Sequence, residues 1–388
     1  MPGRRRKTKV EPVASEVLIE SIDTKITEVR TRTLDFSFNE LVDMYKDEEL
    51  IIDPEFQRLF RWTTGNQSRF IESLLLELPV PPIYLIERDD RVYELIDGLQ
   101  RISSYLNFRG ELVVDGEKNE PLELDDCDIV PELNGYKYAA LPRALEIKLK
   151  RSYIRAEILR KESDPRLRYY MFKRLNTGGE ELSEQEIRNA TIRLLSNDFN
   201  KFIGELSLNE DFLYCVDPVP DTARKRKYLE ELILRFFAFR NNLPAFRHDV
   251  ADFLTEYMEA VSDPQDSTHP FDYEGERQAF EQTFKLLRAA SEVNEGSFKL
   301  FGSVVPATGV SKNQFSVYHF DALSLGLQDL LTTVDASDKP LIERISAVIA
   351  TGKVDPEFLK NTGPGKNDPA PLRARVKYFK EKFEAVVS

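Results

Sequence analysis

Apolar residues recur along this chain with two periods. Phe70, Ile71, Leu74, Leu75 and Leu78 fall three and four residues apart, the spacing of one helix face, and Pro79-Val80-Pro81-Pro82 stops the run. Ile83 to Glu87 and Arg91 to Ile96 then read as strands joined by a hairpin-type connection, Arg88-Asp89-Asp90. The second strand runs through Asp97-Gly98 directly into a helix that starts Leu99-Gln100-Arg101 and closes at Gly110. From Glu111 to Glu157 the pattern predicts irregular β structure, with turns at Asp115-Gly116 and Asn134-Gly135. Within it Leu145-Glu146-Ile147-Lys148-Leu149 alternates as a strand should. From Asp164-Pro165 the period becomes helical. Asp164 is an N-cap, Gly178-Gly179 is a stop, and Ser183 with Glu186 is a capping box that places Arg188 and Asn189 on the second turn of the next helix.

Runs such as Tyr228 to Phe237 and Phe253 to Met258 predict amphipathic helices, and Asn361-Thr362-Gly363-Pro364-Gly365 precedes a basic terminal helix from Pro371. These patterns divide the chain into a basic arm over 1–33 that leads into a first strand or helix, an α/β domain over 34–163 and a helical domain over 164–388. The expected class is α+β. No window reaches the roughly 20 apolar residues of a membrane span, and no apolar signal core follows Met1-Pro2-Gly3-Arg4-Arg5-Arg6-Lys7, so a cytoplasmic location is expected. Cys127 and Cys215 stand far apart and form no CxxC, which implies neither a disulfide framework nor a zinc site.

A net charge of −13 argues against a surface broadly attractive to nucleic acid. Local clusters remain. Between Arg143 and Arg174 eleven basic residues face four acidic ones, and Arg224-Lys225-Arg226-Lys227 is a second run. Such runs are either solvated helix faces or contact surfaces, including surfaces for DNA.

The chemistry concentrates at the strand–Asp97-Gly98–helix junction. A glycine there permits close backbone approach, free amides at a helix start face an anion, and Arg101 adds a planar cationic fork, together a phosphate-sized cradle. Asp-Gly is also a common plain turn. Two other segments sharpen the signal: Ile52-Asp53-Pro54-Glu55-Phe56-Gln57-Arg58-Leu59-Phe60-Arg61-Trp62 upstream, and Phe172-Lys173-Arg174-Leu175-Asn176-Thr177-Gly178-Gly179 downstream.

With these segments the chain, from about Leu34 to Ala190, resembles the N-terminal domain family of GmrSD-type restriction endonucleases, whose hallmark is Asp-Gly-Gln-Gln-Arg, and through it the ParB and sulfiredoxin nucleotide-binding fold. Leu99 replaces the first Gln of the hallmark. The resemblance implies a ParB/sulfiredoxin-like α/β domain followed by an all-α domain, in a nucleotide-binding module of a DNA restriction or anti-phage system with a partner nuclease or defence protein; hydrolysis of the nucleotide is left open. Gly98, Gln100, Arg101 and Ser103 would hold the phosphates of a nucleoside triphosphate, joined by Arg58, Arg174 and Asn176. Asp97, Glu72 and Asn176 would serve Mg²⁺, and Asp97, Gln100 and Arg101 are the candidate catalytic set. Arg174 and Arg188 read equally as structural ion pairs, and Trp62 as a core anchor or a base-stacking platform. His248, His269 and His319 form no recognisable nuclease centre. Two other readings stand beside this one: a self-contained nuclease built on carboxylates, and a non-enzymatic DNA-binding scaffold.

Overall fold

A computed structural model describes residues 15–28, 30–52, 54–57, 60–88, 91–114, 116–163, 171, 183–193, 195–247, 249–266, 270–293, 299–305 and 310–387. The chain divides into two compact units, Met1–Gly179 and Glu180–Ser388. The class is α+β, a mixed sheet in the first unit and helices in the second.

In the first unit, helix α1 (Ser15–Glu28) and the edge strand β1 (Thr31–Ser37) precede helix α2 (Phe38–Lys46). The boundary expected at 33/34 therefore falls inside a strand. Ser37 caps α2 by accepting the Glu40 N–H, and Phe38, Leu41, Val42 and Met44 turn inward. Strand β2 (Leu50–Ile51), helix α3 (Pro54–Gln57) and helix α4 (Thr64–Leu75) follow. The two predicted strands are β3 (Ile83–Glu87) and β4 (Tyr93–Asp97), and the helix after them is α5 (Leu99–Phe108). Past two short strands, β5 (Val113–Val114) and β6 (Glu117–Lys118), helix α6 (Arg143–Arg151) leads into β7 (Tyr153–Leu159).

The main sheet has the order β1-β7-β3-β4-β2. β1 pairs antiparallel with β7, β7 parallel with β3, β3 antiparallel with β4, and β4 parallel with β2. Leu95 and Ile96 point to opposite faces of β4 and are both fully buried, so the strand that ends at Asp97 is covered on both sides. That covering fixes the direction in which Asp97-Gly98 leaves the sheet.

One predicted element is wrong. Residues 145–149 were expected as a strand and lie in α6. Leu149 is buried and Leu145 half-buried at i and i+4 on one helix face, whereas Ile147 is on the outside, so the five-residue alternation did not mark a sheet surface. Arg, Ala, Leu, Glu and Lys are strong helix formers, and they decide the segment.

In the second unit the predicted helices are α7 (Glu184–Ile192), α8 (Tyr228–Asn242), α9 (Val250–Ser262) and the terminal helix α12 (Pro369–Val387); α10 (Tyr273–Glu292) and α11 (Val317–Gly326), which the sequence analysis did not single out, join them with further helices and one small hairpin. The capping box forms as expected: Ser183 Oγ accepts the Glu186 N–H at 3.2 Å and Glu186 Oε2 accepts the Ser183 N–H at 2.8 Å. Aromatic edges fill the core, with Phe236 and Phe237 of α8 against Phe280 of α10 at 5.6 and 5.9 Å. A buried triad crosses it, in which Arg235 Nη2 and Arg375 Nη2 reach Asp321 Oδ2 at 2.8 and 2.6 Å. Among the described residues no helix is long and apolar enough to cross a membrane.

Candidate functional site

The β4–α5 junction takes its shape from Gly98. Its φ of 102° is left-handed, and a Cβ placed there would stand 2.3 Å from Ile83 Cγ2 on β3. Both the backbone conformation and the neighbouring strand therefore exclude every other residue. Gly98 is also the N-cap of α5, and no side chain caps it; the first helical bond is Ile102 N–H to Gly98 O at 3.0 Å. The start of α5 thus presents its amides with the positive end of the helix dipole.

Arg101 lies at this junction. Its Nη2 donates to Asp97 Oδ2 at 2.9 Å and to Pro82 O at 3.1 Å, which holds the guanidinium between the end of β4 and the chain entering β3. Among the described residues Arg101 Nε is buried without a partner, and two residues on, about 200° around the helix, Ser103 Oγ is fully buried and also unpartnered. Buried donors without acceptors are uncommon and costly.

Gln100 binds the neighbouring motif segment. Its Oε1 accepts the N–H groups of Arg61 and Trp62, both at 3.0 Å. The Trp62 carbonyl in turn accepts Gln67 Nε2 at 2.9 Å, Gln67 Oε1 accepts Asn107 Nδ2 at 3.0 Å, and Asn107 Oδ1 accepts Asn119 Nδ2 at 2.9 Å. A chain of side-chain amides therefore runs beneath the junction and joins α4 to α5. Gln67 and Asn107 escaped the sequence analysis; an amide recurring on an otherwise apolar helix face was their one signal. Trp62 packs edge-on to Phe70 with ring centroids 5.9 Å apart, as a core anchor does. Gln57 is turned away toward β5, its Nε2 donating to Val113 O.

The structure brings Asp97, Gly98, Gln100 and Arg101 together at the junction and buries Ser103 within α5. Glu72 has another occupation. Its buried Oε1 accepts the N–H groups of Ile129 and Val130 at 3.0 and 2.6 Å, holding a surface loop against α4. Arg58, Arg174 and Asn176, with Asp164 and Gly178-Gly179, lie outside the described residues, as do His248 and His269. Arg188 is buried inside the helical unit, where it donates to Thr255 Oγ1, Ala251 O and Gln185 Oε1 and pairs with Glu231 at 3.4 Å, a structural role. His319 is buried against Ser316, with its Nδ1 2.7 Å from the hydroxyl, and burial followed by the nearby Lys353 and Arg375 charges pushes its pKa well below the usual histidine value. Cys127 and Cys215 are buried free thiols. Among the described residues no three His, Cys, Asp or Glu side chains group in a way that could hold a metal. Leu99 is buried in the core of the unit.

Residues 38–193 match the family described as GmrSD restriction endonuclease, N-terminal domain. No curated protein and no solved structure is significantly similar to the chain.

Proposed function

We propose, from the membership of residues 38–193 in the GmrSD restriction endonuclease N-terminal domain family, that this chain is the nucleotide-binding module of a DNA restriction system and that its β4–α5 junction receives the phosphates of a nucleoside triphosphate. The observation that carries the reading is the uncapped start of α5 at a left-handed Gly98, together with the partnerless buried Nε of Arg101 and Oγ of Ser103. Amides, a guanidinium and a hydroxyl are the groups that receive phosphate oxygens. Asp97 would serve a phosphate-bound Mg²⁺, which takes one or two carboxylates beside phosphate oxygens. Bound there, Mg²⁺ would neutralise phosphate charge. In this proposal Gln100 positions the Arg61-Trp62 segment, because its oxygen already accepts two backbone N–H groups. That occupation favours binding over hydrolysis, and cutting of DNA falls to a partner.

The test is a thermal-shift panel of the four ribonucleoside and four deoxyribonucleoside triphosphates, each with and without Mg²⁺. A ligand at about 100 times its Kd adds roughly 2.7 kcal/mol to the folded state, so at least one triphosphate raises Tm by several degrees. Arg101→Lys keeps the charge and loses the fork, and the rise shrinks with it. A folded wild-type protein that responds to none of the eight overturns the proposal.

A further inference from the structure

Helix α6 carries three cations that ion pairing among the described residues does not explain. Arg143, Ile147, Lys150 and Arg151 fall within an arc of about 100° on its outer face, opposite the buried Leu149. Arg143, Lys150 and Arg151 make no hydrogen bond or ion pair with any described residue. Their neighbours do: Lys148 pairs with Glu77 at 3.1 Å, Arg155 with Asp35 at 3.2 Å, and Arg160 with Glu162 at 3.4 Å. The helix dipole accounts for Lys150 and Arg151 in the last turn. It works against Arg143, which stands at the first helical position where a cation is disfavoured. Ile147, 38% exposed, lies among these charges, and Tyr153, 67% exposed, follows two residues after Arg151. On a chain of net charge −13, where carboxylates are abundant, three cations around an apolar side chain find no partner among the described residues.

We propose that the outer face of α6 is a contact surface for the phosphate backbone of duplex DNA. The choice of DNA as occupant rests on the restriction-system reading above; the choice of surface rests on charge complementarity alone. Arg143 and Arg151 are eight residues apart, about 12 Å along the helix. Phosphates of one strand rise 3.4 Å per step along the duplex axis and, with the turn of the strand, stand about 7 Å apart along the backbone, so the row spans about two to three of them. Cations laid on a backbone position a protein on the duplex without reading sequence, which suits a module whose partner does the cutting.

The test measures fluorescence anisotropy of a labelled 24-base-pair duplex from 50 to 300 mM KCl, with the wild type, the triple variant Arg143→Gln/Lys150→Gln/Arg151→Gln and the variant Lys225→Gln/Arg226→Gln. Each phosphate contact adds about 0.9 to the slope of log K against log salt, so the triple variant loses about 2 to 3 from that slope and roughly a hundredfold in affinity at 100 mM salt. The pair at 225 and 226 leaves both unchanged. Arg143, Arg151, Lys225 and Arg226 are exposed and Lys150 is half-buried, and an unaltered Tm confirms that the variants are folded. No binding by the wild type, an equal slope in the triple variant, or loss on anionic phosphatidylserine vesicles without loss on DNA would each overturn the proposal. The nucleotide-induced Tm rise, measured on the same proteins, reports on the α5 opening and not on α6, which separates a failure here from a failure of the nucleotide reading.

Discussion

At the scale of single residues, two positions at the α5 opening make opposite predictions. Gly98→Ala puts a methyl group 2.3 Å from Ile83 Cγ2 in a left-handed backbone. Strain of that kind costs about 1 to 3 kcal/mol, so urea unfolding should show the variant less stable by at least about 2 kcal/mol. Ser103→Ala removes a fully buried hydroxyl that has no partner, and an unsatisfied group of that kind costs about 1 to 3 kcal/mol to bury. In the absence of nucleotide this variant is expected to be as stable as the wild type or about 1 kcal/mol more so, while losing part of the nucleotide response. A Ser103→Ala protein that is markedly destabilised without ligand would mean that the hydroxyl has a structural partner. Gly98 was legible in the sequence because Asp-Gly between a strand and a helix is a local signal. Its steric reason was not, because Ile83 belongs to another strand.

At the scale of elements, the junction depends on Gln100 and the amide chain below it. Trp62 is the single tryptophan, so its emission reports this linkage directly. Gln100→Ala frees the Arg61 and Trp62 N–H groups, and the expected result is a red-shifted Trp62 emission with faster proteolysis near 58–62; an unchanged spectrum would show that the segment holds its place without the amide. Elements declared by adjacent residues were readable from sequence: the strand–turn–helix of β4 and α5, the capping box of α7 and the terminal helix, expected from Pro371 and found from Pro369. α6 was not, because an alternation of five residues is compatible with i and i+4 on a helix, and the burial that decides between them comes from the rest of the unit. Gln67 and Asn107 were missed for the same physical reason, since they meet across 40 residues of chain.

At the scale of the whole molecule, the second unit holds an uneven set of buried charges. Burial raises the Asp321 pKa, but the Arg235 and Arg375 guanidiniums together outweigh it and keep the carboxyl ionised. Lys353 donates to the Lys299 carbonyl, and burial lowers its pKa to about 7. A lysine depressed in the fold binds its proton more readily when unfolded, so between about pH 7 and its unfolded value near 10.5 stability rises with pH. Relative to Lys353→Met, the wild type should gain about 2 kcal/mol between pH 7 and pH 9, because one pKa unit corresponds to about 1.36 kcal/mol. A flat difference across that range in denaturant melts would show that Lys353 keeps its charge in the fold. His319 extends the dependence to acid, since a histidine held neutral by burial destabilises the fold as pH falls below 6.5. None of this was legible in the sequence: Arg235 and Asp321 lie 86 positions apart and Asp321 and Arg375 54.

The central claim, that the start of α5 receives nucleotide phosphates, is tested most directly by hydrogen exchange on the full chain with and without a triphosphate and Mg²⁺. The account predicts slower exchange of the amides over 98–104, with a smaller effect at Arg61 and Trp62 through Gln100, and no change along α6. Nucleotide that binds and slows exchange elsewhere while 98–104 exchange as before would contradict it.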